Sequence, residues 1–168
     1  MLETTMDIND LVQLSKTLNT STDELNAQLK DVEDRINALS LGVEAWVTNK
    51  PLREEFTASS SPYGHPTRGR IATELGYARF NEGWKLAVRT VSYSQWLDLN
   101  TEVAWEESTD GRGMEVSGFE TKPLLRAGRT LRTAAVDRIP DLVEALHAAG
   151  SKVAEAVEKA RKLSESLK

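Results

Sequence analysis

Few side chains in this chain could carry chemistry. It has two histidines, His65 and His147, and no cysteine. Without thiols, disulfides, thiolate nucleophiles and cysteine-ligated zinc fall away together, and the sequence suits a reducing compartment. His65 lies in YGHPTRGR beside Arg68 and Arg70, with Glu54 and Glu55 nearby. A metal site needs several ligands at workable spacing, and neither H-x-x-x-H nor H-x-x-E occurs, so no metal ion is expected. Ser59, Ser60 and Ser61 precede His65. A triad requires Ser, His and an acid converging in space, and a serine-rich loop lacks the strained elbow that presents a nucleophile. The glycines of GHPTRGR match neither the P-loop nor the dinucleotide fingerprint. Glu106 and Glu107 are neighbours on an expected strand and so point to opposite faces, which spoils them as an acid–base pair. No catalytic constellation and no cofactor site results, and a non-enzymatic protein is expected.

Recognition is better provided for. Residues 77–89, YARFNEGWKLAVR, read as a hairpin with aromatic and basic residues around its turn. Asn81-Glu82-Gly83 suits a three-residue turn closed by a left-handed glycine. That register pairs Phe80 with Trp84, Ala78 with Leu86 and Gly76 with Val88, and makes Ala78, Phe80, Trp84, Leu86 and Val88 the core face. The opposite face then gathers Tyr77, Arg79, Lys85, Arg89 and Tyr93, with Leu75, Ala87 and Val91 among them. Such a face can stack bases and hold phosphates, contact a partner protein, or lie under a helix with its long stems on apolar surface. Partial cover by a helix is the favoured expectation. Downstream, Lys122, Arg126 and Arg129 follow i, i+4, i+7 on an expected helix. They form a basic stripe that can bind carboxylates, or pair with Glu102, Glu106 and Glu107.

Two heptad-patterned segments must position these residues. From Ile8, the a positions are Ile8, Ser15, Thr22, Leu29, Ile36 and Val43, and the d positions are Leu11, Leu18, Leu25, Val32 and Leu39. Only Ser15 and Thr22 are polar, so one face of a helix over 5–42 carries a narrow apolar stripe. Ser21-Thr22-Asp23-Glu24 matches a capping box, which leaves open a break there. The second seam runs Ile139, Leu142, Leu146, Ala149, Val153, Ala156, Ala160, Leu163 and Leu167 without a polar exception. Thr121 reads as an N-cap with Pro123 in the first turn, and Pro140 should kink or divide this second arm near Arg138. Between the arms the period changes to two. Strands are expected at 43–48, 71–80, 84–93, 101–107 and 114–119, with residues 49–70 as a long surface loop.

The expected fold is therefore α+β: a helical arm at 5–42, a four- to five-stranded antiparallel meander at 43–119, and a kinked helical arm at 121–168, all in one domain. The simplest geometry sets the two arms antiparallel against each other, and surplus apolar stripe suits a dimer. Net charge is −5, and it is segregated: 9 acids and 3 bases over residues 1–48 (−6), and 1 acid and 5 bases over 122–138 (+4). An acidic total argues against nucleic acid, where phosphate neutralisation supplies most of the affinity. No apolar run approaches the ~18 residues of a membrane span, and the acidic start does not resemble a secretory signal. These observations point to a cytoplasmic interaction or scaffold protein that binds itself or a partner protein through coiled-coil-like helices. The sheet face or the 49–70 loop would be a second contact surface. A small-ligand or nucleic-acid-binding module using the basic, aromatic face is the alternative.

Overall fold

The computed structural model describes residues 8–60, 66–96 and 114–166. Helix α1, Ile8–Ala38, is continuous. The polar stretch that suggested a restart is absorbed within it. Thr17, Thr20 and Thr22 donate their hydroxyls to the carbonyls of Gln13, Lys16 and Leu18, one turn back. The helix stops where Ser40 and Gly42 take positive φ, 50° and 63°, the left-handed exit typical of a helix C-terminus.

Five antiparallel strands follow: β1 (Ala45–Trp46), β2 (Arg53–Ser60), β3 (Pro66–Phe80), β4 (Gly83–Trp96) and β5 (Met114–Pro123). The order is β1-β3-β4-β5, with β2 on the same edge of β3 as β1. The expected long loop at 49–70 is thus mostly strand. Arg53 through Ser60 pair with Thr73 through Pro66, and Val47 N–H and Leu52 N–H continue the ladder to the carbonyls of Leu75 and Thr73. The serines, glycines and prolines there signalled a loop, but a free β3 edge outweighed that local preference, and Pro66 sits at the first strand position, where its missing N–H is tolerated. The strand candidate 101–107 lies outside the described residues.

The second helical arm also differs from expectation. Thr121 is not an N-cap, because it belongs to β5 and pairs with Arg89. The chain then makes a short 3-10 turn, Leu124–Arg126, before α2 (Arg129–Val136). Pro123 is the last rung, opposite Ala87. Pro140 acts as foreseen, dividing α2 from α3 (Ile139–Ser166) and sitting in the first turn of the latter.

The hairpin register is one residue off the expected pairing. Phe80 faces Gly83, Arg79 faces Trp84 and Tyr77 faces Leu86, so the loop is the two residues Asn81-Glu82. Gly83 does take positive φ, 112°, but from within the ladder. Each β3 residue therefore shares its face with the residues once assigned to the other side. Leu75, Tyr77, Leu86 and Val88 join Leu29, Ile36, Leu124, Ala135, Leu142 and Leu146 in the core beneath the helices. Ala72, Glu74, Ala78, Ala87 and Val91 lie on the opposite face and are also buried. With both faces covered, apolar alternation loses its power to choose the register.

The helices pack on the first face in a fixed order. Arg129 contacts Asn19, and Arg132 contacts Asn26, while Ile36 and Leu39 line a groove with Val143 and Val153. These contacts advance the same way along both segments. The α2–α3 segment therefore runs with α1, and the two do not form the antiparallel pair that the seams suggested.

Candidate interaction surfaces

One polar cluster fixes α1 to the sheet. β5 ends at Pro123, opposite Ala87, so the neighbouring backbone of β4 has no strand partner on that side. Glu33 takes that place: its Oε2 accepts the Leu86 N–H at 2.9 Å. One turn later, Asn37 donates Nδ2–H to the Trp84 carbonyl at 3.3 Å and accepts the Tyr77 hydroxyl. Lys30 lies 3.2 Å and Lys85 3.7 Å from the Glu33 carboxylate. The Tyr77 ring stacks on Trp84 with centroids 5.3 Å apart. Tyr77 is thus a core residue, 2% exposed. Burial first, and the Glu33 charge second, push its phenol above the ordinary value.

The opposite face holds a second network. Glu74 is completely buried, and Arg89 donates its Nε–H to it at 2.8 Å while the Tyr93 hydroxyl donates at 3.2 Å. The Arg89 guanidinium also lies 4.4 Å from the centre of the Trp46 ring, and Arg70 lies 5.4 Å from that of Tyr93. Arg70 in turn pairs with Glu54, and Trp46 donates its indole N–H to Glu44 at 2.6 Å. Gly76 makes this possible. A Cβ there would sit 2.1 Å from the Trp46 ring, so only glycine lets the indole lie on the strand. Burial, followed by the Glu74 charge and hydrogen bond, raises the Tyr93 phenol. A phenol held protonated near neutrality donates hydrogen bonds and does not serve as a base.

The seven residues proposed as a surface from sequence are thus dispersed. Tyr77 is in the core, and Arg79 sits exposed near the hairpin tip. Lys85, Arg89 and Tyr93 occupy the other face, where Arg89 and Tyr93 meet the buried Glu74. Arg126 pairs with Glu82 across 3.3 Å, both exposed, and Arg129 contacts Asn19 on α1. Lys122 is on β5, so the basic helical stripe does not form. Because Arg70 and Arg89 face carboxylates, their charge is partly offset before any phosphate could meet it. Sequence reasoning missed Trp46, Glu74 and Glu33. Only the glycine in the middle of β3 hinted at the close approach of Trp46.

Among the described residues most of the exposed large apolar side chains belong to the helices, with Phe56 and Ile71 on the sheet and Leu39 and Leu41 just after α1 as the others. Every residue from Ile8 to Ser21 is exposed, as is every residue of α3 from Ser151 to Ser166. Ile8, Leu11, Val12, Leu14 and Leu18 crowd the first, and Val153, Val157 and Leu163 the second. Between them an open apolar groove of about 690 Å³ runs between the end of α1 and α3, with His147 among its lining residues. Among the described residues no three acidic or histidine side chains cluster as metal ligands, and no helix is long and apolar enough to cross a membrane. No protein-family model, curated protein or solved structure matches this chain.

Proposed function

We propose that this is a non-enzymatic interaction or scaffold protein that binds a second copy or a partner protein through the heptad-patterned stripes of α1 and α3. One observation carries the reading: both long helices continue past the core they pack on, and their seams there stay apolar except at Ser15 and Thr22 of α1. Ile8 is 73% and Leu163 63% exposed. Apolar side chains repeated along one helix face mark a surface that another helix covers. The sheet anchors the helices and gives the seams a fixed spacing. A cytoplasmic location is part of the same proposal, supported by the absence of cysteine.

The test is site-specific photo-crosslinking in cells that express the full chain, with the crosslinker at Leu14 and, separately, at Val157. A discrete crosslinked species from either position, self or otherwise, supports the reading. An absence of any from both, with an exposed polar position such as Gln28 as control, refutes it.

A further inference from the structure

Two uncovered apolar features fit one another. The first is the stripe of Ile8, Leu11, Val12 and Leu18 on α1, spaced i, i+3, i+4, i+10 as a helix seated in a groove requires. The second is the groove itself. Leu39, Leu41 and Val43 form one wall, Val143 and Val153 on α3 the other, and Gly150 leaves space between them. Val157 prolongs the α3 wall by one turn. A single chain cannot join the two. Val12 and Leu39 are separated by almost the whole of α1, about 40 Å at ~1.5 Å per residue.

We propose that the protein forms a two-fold dimer in which the α1 stripe of each copy seats in the groove beside α3 of the other. This rests on the interaction reading above and names its partner. Stripe and groove lie at opposite ends of α1, so a two-fold axis across that helix satisfies both contacts at once and closes the assembly. Area favours reciprocity. From the exposures of Ile8, Leu11, Val12, Leu14 and Leu18, and of Leu39, Leu41, Val143, Val153 and Val157, complete burial of these side chains in one contact would remove on the order of 950 Å² from water. This falls below the ~1,200 Å² of a stable interface, while two contacts reach roughly 1,900 Å².

Sedimentation of the full chain at up to about 100 μM tests this. Wild type should sediment as a dimer. Leu11→Asp with Leu18→Asp, and separately Val153→Asp with Val157→Asp, should each weaken it by at least ~100-fold. All four positions are exposed, so far-UV circular dichroism should not change, nor should melting once the chain is diluted until wild type is monomeric. A mixture of the two variants should associate more tightly than either alone, because one wild-type stripe then meets one wild-type groove. A monomeric wild type overturns the dimer. So does a groove variant that dimerises normally while the stripe variant does not, since the stripes would then pair with each other. If wild type is monomeric but crosslinks from Leu14 or Val157 to another protein persist, only the dimer fails. If those crosslinks are absent too, both readings fail.

Discussion

Replacing Glu33 tests how α1 is held on the sheet. Glu33 is 2% exposed and accepts the N–H of Leu86, which has no strand partner beyond the end of β5. Glu33→Ala leaves that buried donor unpaired, at a cost of about 1–3 kcal/mol. The ion pair to Lys30, whose side chain is 44% exposed, adds only about 0.3 kcal/mol after solvent screening. The expected loss is therefore about 1.3–3.3 kcal/mol, or roughly 3–13 °C in Tm for a chain of this size. Glu33→Gln keeps an acceptor oxygen and should cost about 1 kcal/mol. Urea unfolding followed by circular dichroism gives the energies, and hydrogen exchange at the Leu86 amide locates the effect. That amide should exchange faster in Glu33→Ala and near normally in Glu33→Gln. Equal losses for the two variants, or unchanged exchange at Leu86, would refute the idea that this carboxylate substitutes for a missing strand.

Arg89→Met leaves the fully buried Glu74 facing a lost charge and should destabilise the fold by about 3–5 kcal/mol, with Glu74→Leu in the same chain recovering much of it in urea unfolding. A double variant no more stable than Arg89→Met would contradict this. The phenols of Tyr77 and Tyr93 are raised by burial and by Glu33 and Glu74 respectively, so the folded state holds these protons more tightly than the unfolded chain, whose tyrosines titrate near ~10. Their contribution to stability is complete below about pH 10 and is lost as pH rises through the folded values. Absorbance at 295 nm should show both phenols ionising late, and the urea midpoint should fall above about pH 10, less so in Tyr93→Phe.

Much of the fold was legible because it depends on local pattern. The heptads located α1 and α3, the glycine after Leu41 its end, and Pro140 the break before α3. Alternation located β3, β4 and β5. Residues 49–70 misled because their composition is that of a loop, and what made Arg53–Ser60 a strand was the unoccupied edge of β3, a partner distant in the fold. The basic stripe at 122–129 dissolved because β5 runs on to Pro123, so its members fall on a strand, a turn and a helix start.

The candidate surface was the least legible part. A one-residue register decides which side chains share a face, and alternation cannot fix the register when both faces are buried. Tyr77 thus exchanged a proposed binding role for a stacked place against Trp84, and Arg89 found Glu74 directly across the ladder. Glu33 and Asn37 flank the apolar seam like ordinary rim residues, and only docking on β4 turns them into caps for open backbone.

The sequence by itself determined which helices have an apolar face and how long that face is, because periodicity is a property of neighbours along the chain. Where that face meets the rest of the molecule was a tertiary matter. Each helix docks on the sheet along part of its length only, so the core takes in α1 from about Leu25 onward and α3 to about Ala149. The uncovered remainder, on which the proposed assembly depends, exists because each helix runs on past the stretch that docks.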